Sequence, residues 1–312
     1  MTAAVTASSR ARAGMNHRNA GVIAIAVSVA VLSIGSTLVK ETGSPGSVVA
    51  FWRLLGASLV WQLVLRVRGG RVDTKAWRRV APAGFLFGIN LVCFFTAVRL
   101  TRIANAEFTG TLAPAIVVPL AAWRLREKVP TRTIVLGVVA LCGVALIVLS
   151  SAKGASSFKG DLLAVTAVFT WSMYLLLTKR IRAGVDTKVF MTVMSSVAAV
   201  VVLPVAISSG KMFDVTGKGW ALIALMAITS GMLAHGMLAW SQQRVPVSTI
   251  SVMQLAQPGM STLWAFLILG ESVRGIQIVG MAIVLVAVGL IAQQAARGST
   301  PPPEPDSGGV AG

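Results

Sequence analysis

Long apolar runs alternate with short polar or charged breaks along nearly the whole chain. Ten such runs stand out, at 20–39, 47–65, 80–98, 103–122, 132–150, 160–178, 187–207, 219–239, 247–269 and 275–293. A helix needs about 20 mostly apolar residues to cross a bilayer, so the pattern predicts ten membrane-spanning helices. The breaks carry Gly, Pro, Ser or charge, which end helices. The runs are too long for strands and lack the period-two alternation of an outer-membrane barrel. The first run follows Arg10, Arg12 and Arg18, as a signal peptide would. It is longer than a signal-peptide core and has nine successors, so it reads as an uncleaved first span.

Composition agrees with an all-α integral membrane protein. Of 312 residues, 55% are hydrophobic and 12% charged, against about 25% charged in soluble domains; the mean hydropathy is +0.79. The formal charge of +18 invites a nucleic-acid partner. That partner is excluded because Lys and Arg fall in short clusters between the apolar runs, not on one basic face.

The clusters instead set orientation. With the N-terminus in the cytoplasm, the same side collects Arg66, Arg68, Arg71, Lys75, Arg78, Arg79, Arg124, Arg126, Lys128, Arg132, Lys179, Arg180, Arg182, Lys188, Arg244 and Arg297. The other side keeps about half as many cations, which puts both termini in the cytoplasm of a multi-pass plasma-membrane protein. Residues 1–19 then form a cytoplasmic tail. Residues 297–312, "RGSTPPPEPDSGGVAG", read as a disordered tail, and residues 1–17 read similarly. Cys93 and Cys142 lie singly in apolar runs and read as packing residues. His17 and His235 are the only histidines, so neither a metal site nor a cofactor is indicated.

The chain repeats itself. Pro114 and Glu127 recur as Pro258 and Glu271, each 144 residues on, with the Glu thirteen residues after the Pro in both copies. Lys40 and Phe51 recur as Lys179 and Phe190 at an offset of 139. Span one therefore matches span six, and span four matches span nine, giving two five-helix units at 20–150 and 160–293. Five is odd, so the second unit enters the membrane from the opposite side. Inverted repeats of this kind characterise secondary transporters.

Several stretches sharpen this reading. "LREKV" and "LGESV" close spans four and nine, "AFWRLLGA" at Ala50–Ala57 opens span two, and "KGDLLAVTAVFTWSMYLLLTKR" fills Lys159–Arg180. In this order and duplication the chain resembles the EamA-type domains of the drug/metabolite transporter superfamily. The resemblance implies ten helices in inverted repeats around a central cavity lined mainly by spans one, three, four, six, eight and nine. It implies movement of amino acids, other metabolites or drugs, often outward. One departure is Lys128 in the first copy where the second has Ser272.

Polar residues inside spans are the candidate substrate contacts, because a mid-bilayer charge costs about 2.5–3.5 kcal/mol on insertion scales. Glu107 is one, with Thr111 and Pro114 on its helical face; pairing with Arg99 or Arg102 at the interface is the alternative. Span nine carries Ser251, Gln254, Gln257 and Ser261 as one polar stripe that includes Pro258. Such amides must face protein or water. Span six offers Thr166, Thr170 and Tyr174 at four-residue steps, beside Trp171. His235 and Asn90 lie inside spans eight and three, each suited to the cavity or to a structural hydrogen bond. Arg53 reads as structural or gating, its stem snorkelling to the outer interface. Glu127 and Glu271 read as structural, starting the next helix or pairing with Arg126 and Arg274.

No phosphate-binding G-x-x-x-x-G-K-[ST] stretch occurs, so the chain does not read as an ATPase or other enzyme. An intramembrane protease would need paired Asp or a Ser/His arrangement, and Ser230 with His235 lacks further support. A secondary transporter for a small molecule remains, with a facilitative channel or a non-transporting receptor as the alternative. A proton moving down 100 mV contributes about 2.3 kcal/mol; exchange without net proton movement is equally open. Few charges inside the spans favour a zwitterionic or mostly apolar solute. A monomer and a homodimer are both compatible with the sequence.

Overall fold

The computed structural model describes residues 2–100, 103–150, 157–269 and 274–297. Among these residues all regular structure is helical. Helices α1 (Thr2–Ser33) and α2 (Gly35–Glu41) carry the first apolar run, parted only at Ile34. Then come α3 (Gly46–Val67) and α4 (Thr74–Leu100), followed by a run split between α5 (Ile103–Gly110) and α6 (Ala113–Arg124). α7 (Thr131–Ser150), α8 (Phe158–Arg182) and α9 (Thr187–Ser208) are continuous. α10 (Gly217–Met226) passes through a π-helical segment, Ala227–Ala234, into α11 (His235–Ser241). α12 (Val247–Met253), a 3-10 turn at Gln254–Ala256 and α13 (Gln257–Leu269) form the next broken run, and α14 (Gly275–Arg297) is last.

Seven of these segments are long and apolar enough to cross a membrane: Arg18–Glu41, Gly46–Val67, Thr74–Leu100, Phe158–Arg182, Thr187–Ser208, Gly217–Ser241 and Gly275–Ala296. Ala113–Arg124 and Thr131–Ile147 are shorter apolar helices. Their polarity is inverted relative to a soluble protein. Val200, Leu63 and Val286 are more than 60% exposed, whereas Arg53, Arg182, Ser172 and His235 are buried. Apolar side chains outside and polar ones within suit a multi-pass protein whose solvent is lipid.

One sequence expectation is corrected at the N-terminus. Helix α1 begins at Thr2, inside the stretch expected to be disordered, because the alanines spaced through residues 3–13 favour helix. Residues 298–312 lie outside the described residues.

The breaks have local causes. Pro114 lies in the first turn of α6; its ring opposes the carbonyl four residues back, and α5 accordingly ends at Gly110. Pro258 has no N–H for the carbonyl of Gln254, and the chain tightens there into the 3-10 turn. The π segment widens its helix next to His235, a distortion common at functional sites.

Close packing fixes the rest. α4 packs on α8 and α9, α3 on α9, and α7 on α14. The last pair meets at glycines: a Cβ at Gly280 would stand 2.6 Å from the carbonyl oxygen of Gly143. Only a residue without a side chain lets the backbones approach this closely.

Contacts between distant segments mark the two ends of the bundle. At one end Lys179 Nζ donates to the carbonyls of Gln242 (2.5 Å) and Val245 (2.8 Å), and Arg180 donates to the Arg124 carbonyl at 2.8 Å. Arg244 and the turn after α8 lie here too, so this is the basic end. At the other, Lys218 pairs with Glu41 at 2.5 Å, Arg99 donates to the carbonyls of Lys40 and Gly43, and Trp52 donates to the Met212 carbonyl.

Candidate functional site: a central polar cavity

A cavity of ≈ 120 Å³ lies among α2, α3, α4, α5, α6, α8, the π segment and the broken run from α12 to α13. This is several times the volume of about 10–15 Å³ that a single water needs. The helix breaks described above concentrate on its wall. They place Glu107, Thr111 and Pro114 on one side and Ser251, Gln254, Gln257 and Pro258 on another. Asn90, Trp171 and His235 complete the sequence-predicted part of the lining.

Each side chain is held by its neighbours. Ser36 lies beside Glu107 on the cavity wall, its hydroxyl 3.1 Å from that of Ser261. Asn90 Nδ2 donates to the Ala167 carbonyl on α8 at 2.8 Å. Trp171 Nε1 donates to Gln254 Oε1 at 3.3 Å, tying span six to the amide stripe. The Trp171 ring stacks on Tyr174 at 5.2 Å, and His235 meets Phe87 edge-on at 4.8 Å. These aromatic contacts shape a rigid, apolar floor.

Several residues sit elsewhere than the sequence suggested. Arg53 does not snorkel: it is 2% exposed, and its guanidinium lies over the Phe95 ring at 5.4 Å, in the cavity wall. Glu107 does not pair with Arg99, which bonds backbone carbonyls at the far end; Arg102 lies outside the described residues. Thr166 is exposed, and Thr170 turns its hydroxyl onto the carbonyls of Thr166 and Ala167. Tyr174 lies beneath Trp171, buried but outside the wall. Four-residue steps advance about 40° beyond a full turn each time, so that stripe winds off the cavity face.

Glu127 is remote from the cavity. It neither starts α7 nor answers Arg126. Instead its carboxylate accepts from the backbone N–H of Val247 (2.9 Å), the N–H of Ser248 (3.1 Å) and the Ser248 hydroxyl (2.8 Å). Pro246, at the N-cap of α12, supplies no side-chain cap, and Glu127 satisfies these orphan donors across 120 residues of sequence. Glu271 lies outside the described residues.

The sequence reading missed Ser36, Ser230 as a cavity group, and the apolar wall of Phe87, Phe94 and Phe95. The polar "GST" at Gly35–Thr37, interrupting span one, was the available signal for Ser36. Towards the basic end the lining stops. Tyr174, Leu175, Leu238 and Ala239 lie there, each 1% exposed or less.

Comparison with known proteins gives a consistent result. The model of the EamA-like transporter family matches residues 19–149 and 158–293. The chain is 24% identical over 256 residues to an uncharacterised transporter, YwfM of Bacillus subtilis, covering 80% of this chain and 85% of that one. It is 22% identical over 269 residues to the pseudopaline exporter CntI of Pseudomonas aeruginosa, covering 86% and 94% respectively. It is 24% identical over 281 residues to the threonine/homoserine exporter RhtA of Salmonella typhimurium, covering 85% and 89%. A solved crystal structure superposes with a TM-score of 0.75 at 18% identity, over 89% of this chain and 98% of its own, a likeness of fold. The chain belongs to the EamA-like transporter family of the drug/metabolite transporter superfamily, and is a membrane transporter, not an enzyme.

Proposed function

We propose that this protein is a secondary exporter that moves a small amino-acid-like metabolite through the central cavity by alternating access. The observation that carries the proposal is the cavity itself: polar groups from both halves of the chain converge on it. A carrier needs such a central site; a channel needs a continuous path with a filter or charged ring. The two relatives named as exporters, of threonine/homoserine and of pseudopaline, support the direction, and the first supports the substrate class.

In this reading ten helices form two inverted five-helix repeats. The packing supports it: α4 of the first half against α8 of the second is matched by α1 of the first against the π segment and α11 of the second, and α3–α9 and α7–α14 pair like with like. The breaks at 111–112 and 254–256 also fall in equivalent spans. The basic end faces the cytoplasm of the plasma membrane, with both termini, so the cavity occupies the outer half. Energy comes from a proton gradient or from exchange.

The test is expression in a host lacking close homologues, with extracellular metabolites compared by mass spectrometry among wild type, empty vector and Glu107→Gln. The proposal expects an amino acid or close relative to accumulate outside only with the wild type. No difference in any metabolite, with the protein present in the membrane, contradicts export.

A further inference from the structure

We infer that the cavity selects a dipolar solute, one carrying both an ammonium and a carboxylate, with Glu107 binding the first and Arg53 the second. The inference rests on the carrier reading above. It gives Arg53 a substrate contact in place of a structural or gating role.

Among the described residues that line the cavity, Glu107 and Arg53 are the only Asp, Glu, Lys or Arg. Glu107 is 5% exposed and Arg53 2%. Glu107 Oε1 and Arg53 Nε are buried atoms with no hydrogen-bond partner among the described residues. No ion pair joins the two side chains. Burying an unpaired charge is costly, and removing one partner of a buried pair leaves the other strongly destabilising. Two opposite charges lining one cavity, present only for structure, would gain by pairing. Here Ser36 lies beside Glu107 and the Phe95 ring faces Arg53, and neither neighbour is a counter-ion.

A zwitterion completes both ends. Its ammonium donates to Glu107, and its carboxylate accepts from the guanidinium, whose planar donors suit that geometry. Phe87, Phe94 and Trp171 flank the space and can cover an apolar side chain, while Gln254 and Gln257 offer amides to a polar one. A cation or an anion alone satisfies one pole and leaves the other desolvated, so it is rejected. Specificity of this kind comes from the penalty on the wrong partner as much as from attraction to the right one.

The experiment uses the full chain in liposomes loaded with an equimolar mixture. The mixture holds the twenty common amino acids, their amides (no carboxylate) and their N-acetyl derivatives (no ammonium). Release above that from protein-free vesicles is read by mass spectrometry. The inference expects at least one free amino acid to leave about tenfold or more faster than its amide and N-acetyl forms, from the usual strength of a charged hydrogen bond. Glu107→Gln should erase the preference against the N-acetyl form, and Arg53→Gln the preference against the amide. Arg53→Lys should keep part of it. A purely structural Arg53 would lower all fluxes alike and leave these ratios unchanged, which overturns its assignment. Amide or N-acetyl forms released as fast as the parent overturn dipolar selection while leaving the carrier reading intact. Release of nothing in the mixture by folded protein overturns the amino-acid reading and the inference together.

Discussion

At the scale of residues, the site depends on few polar contacts in a dry setting. Trp171 has its indole N–H on Gln254 Oε1. Replacing Gln254 by Leu leaves that donor without its acceptor and removes an amide from the wall. We expect Gln254→Leu to slow flux about five- to tenfold, the net value of one such bond, with membrane insertion and gel-filtration profile unchanged. Normal flux in liposomes would make the stripe a packing feature only. The residue types in the cavity were largely legible in the sequence, because polar side chains in apolar runs are costly unless they face protein or water. Their facing was less so. Arg53 and Tyr174 were assigned to the wrong surroundings, since a helix face drifts with length and the neighbour that covers it is set by tertiary packing.

At the scale of elements, the duplicated Glu has a definite task in the first copy. Glu127 caps α12 through three hydrogen bonds, and Lys179 holds the carbonyls just before that helix. Loss of the carboxylate leaves two buried-side N–H donors unanswered. Glu127→Ala should lower stability by about 1–3 kcal/mol, read as a drop in unfolding temperature in detergent, with Glu127→Gln intermediate. An unchanged unfolding temperature for the alanine variant would mean that solvent or another group serves the cap equally well. The repeat revealed that Glu127 matters, but not its partner. A cap supplied from 120 residues away has no local signature, unlike an N-cap Ser or Asp. The internal breaks show the same division. Pro114 and Pro258 announce theirs, whereas the π segment at Ala227–Ala234 carries no proline and its geometry is set by packing beside α3 and α1.

At the scale of the whole molecule, the apolar pattern carried most of the fold, because a membrane helix must be apolar along its full length. Helix covers every apolar run that the sequence marked. What the pattern could not give was which side chains pack beside the cavity towards the basic end, Tyr174, Leu175, Leu238 and Ala239 among them. Alternating access is the central claim, and trans-stimulation tests it most directly. Liposomes containing the full chain would be loaded with the twenty common amino acids or left empty, then given the same set isotopically labelled outside. The account predicts that at least one labelled amino acid enters faster into loaded vesicles, because a carrier returns more quickly when occupied. Entry that is equal or slower on loading, for every amino acid that enters, is the behaviour of a channel and would contradict it.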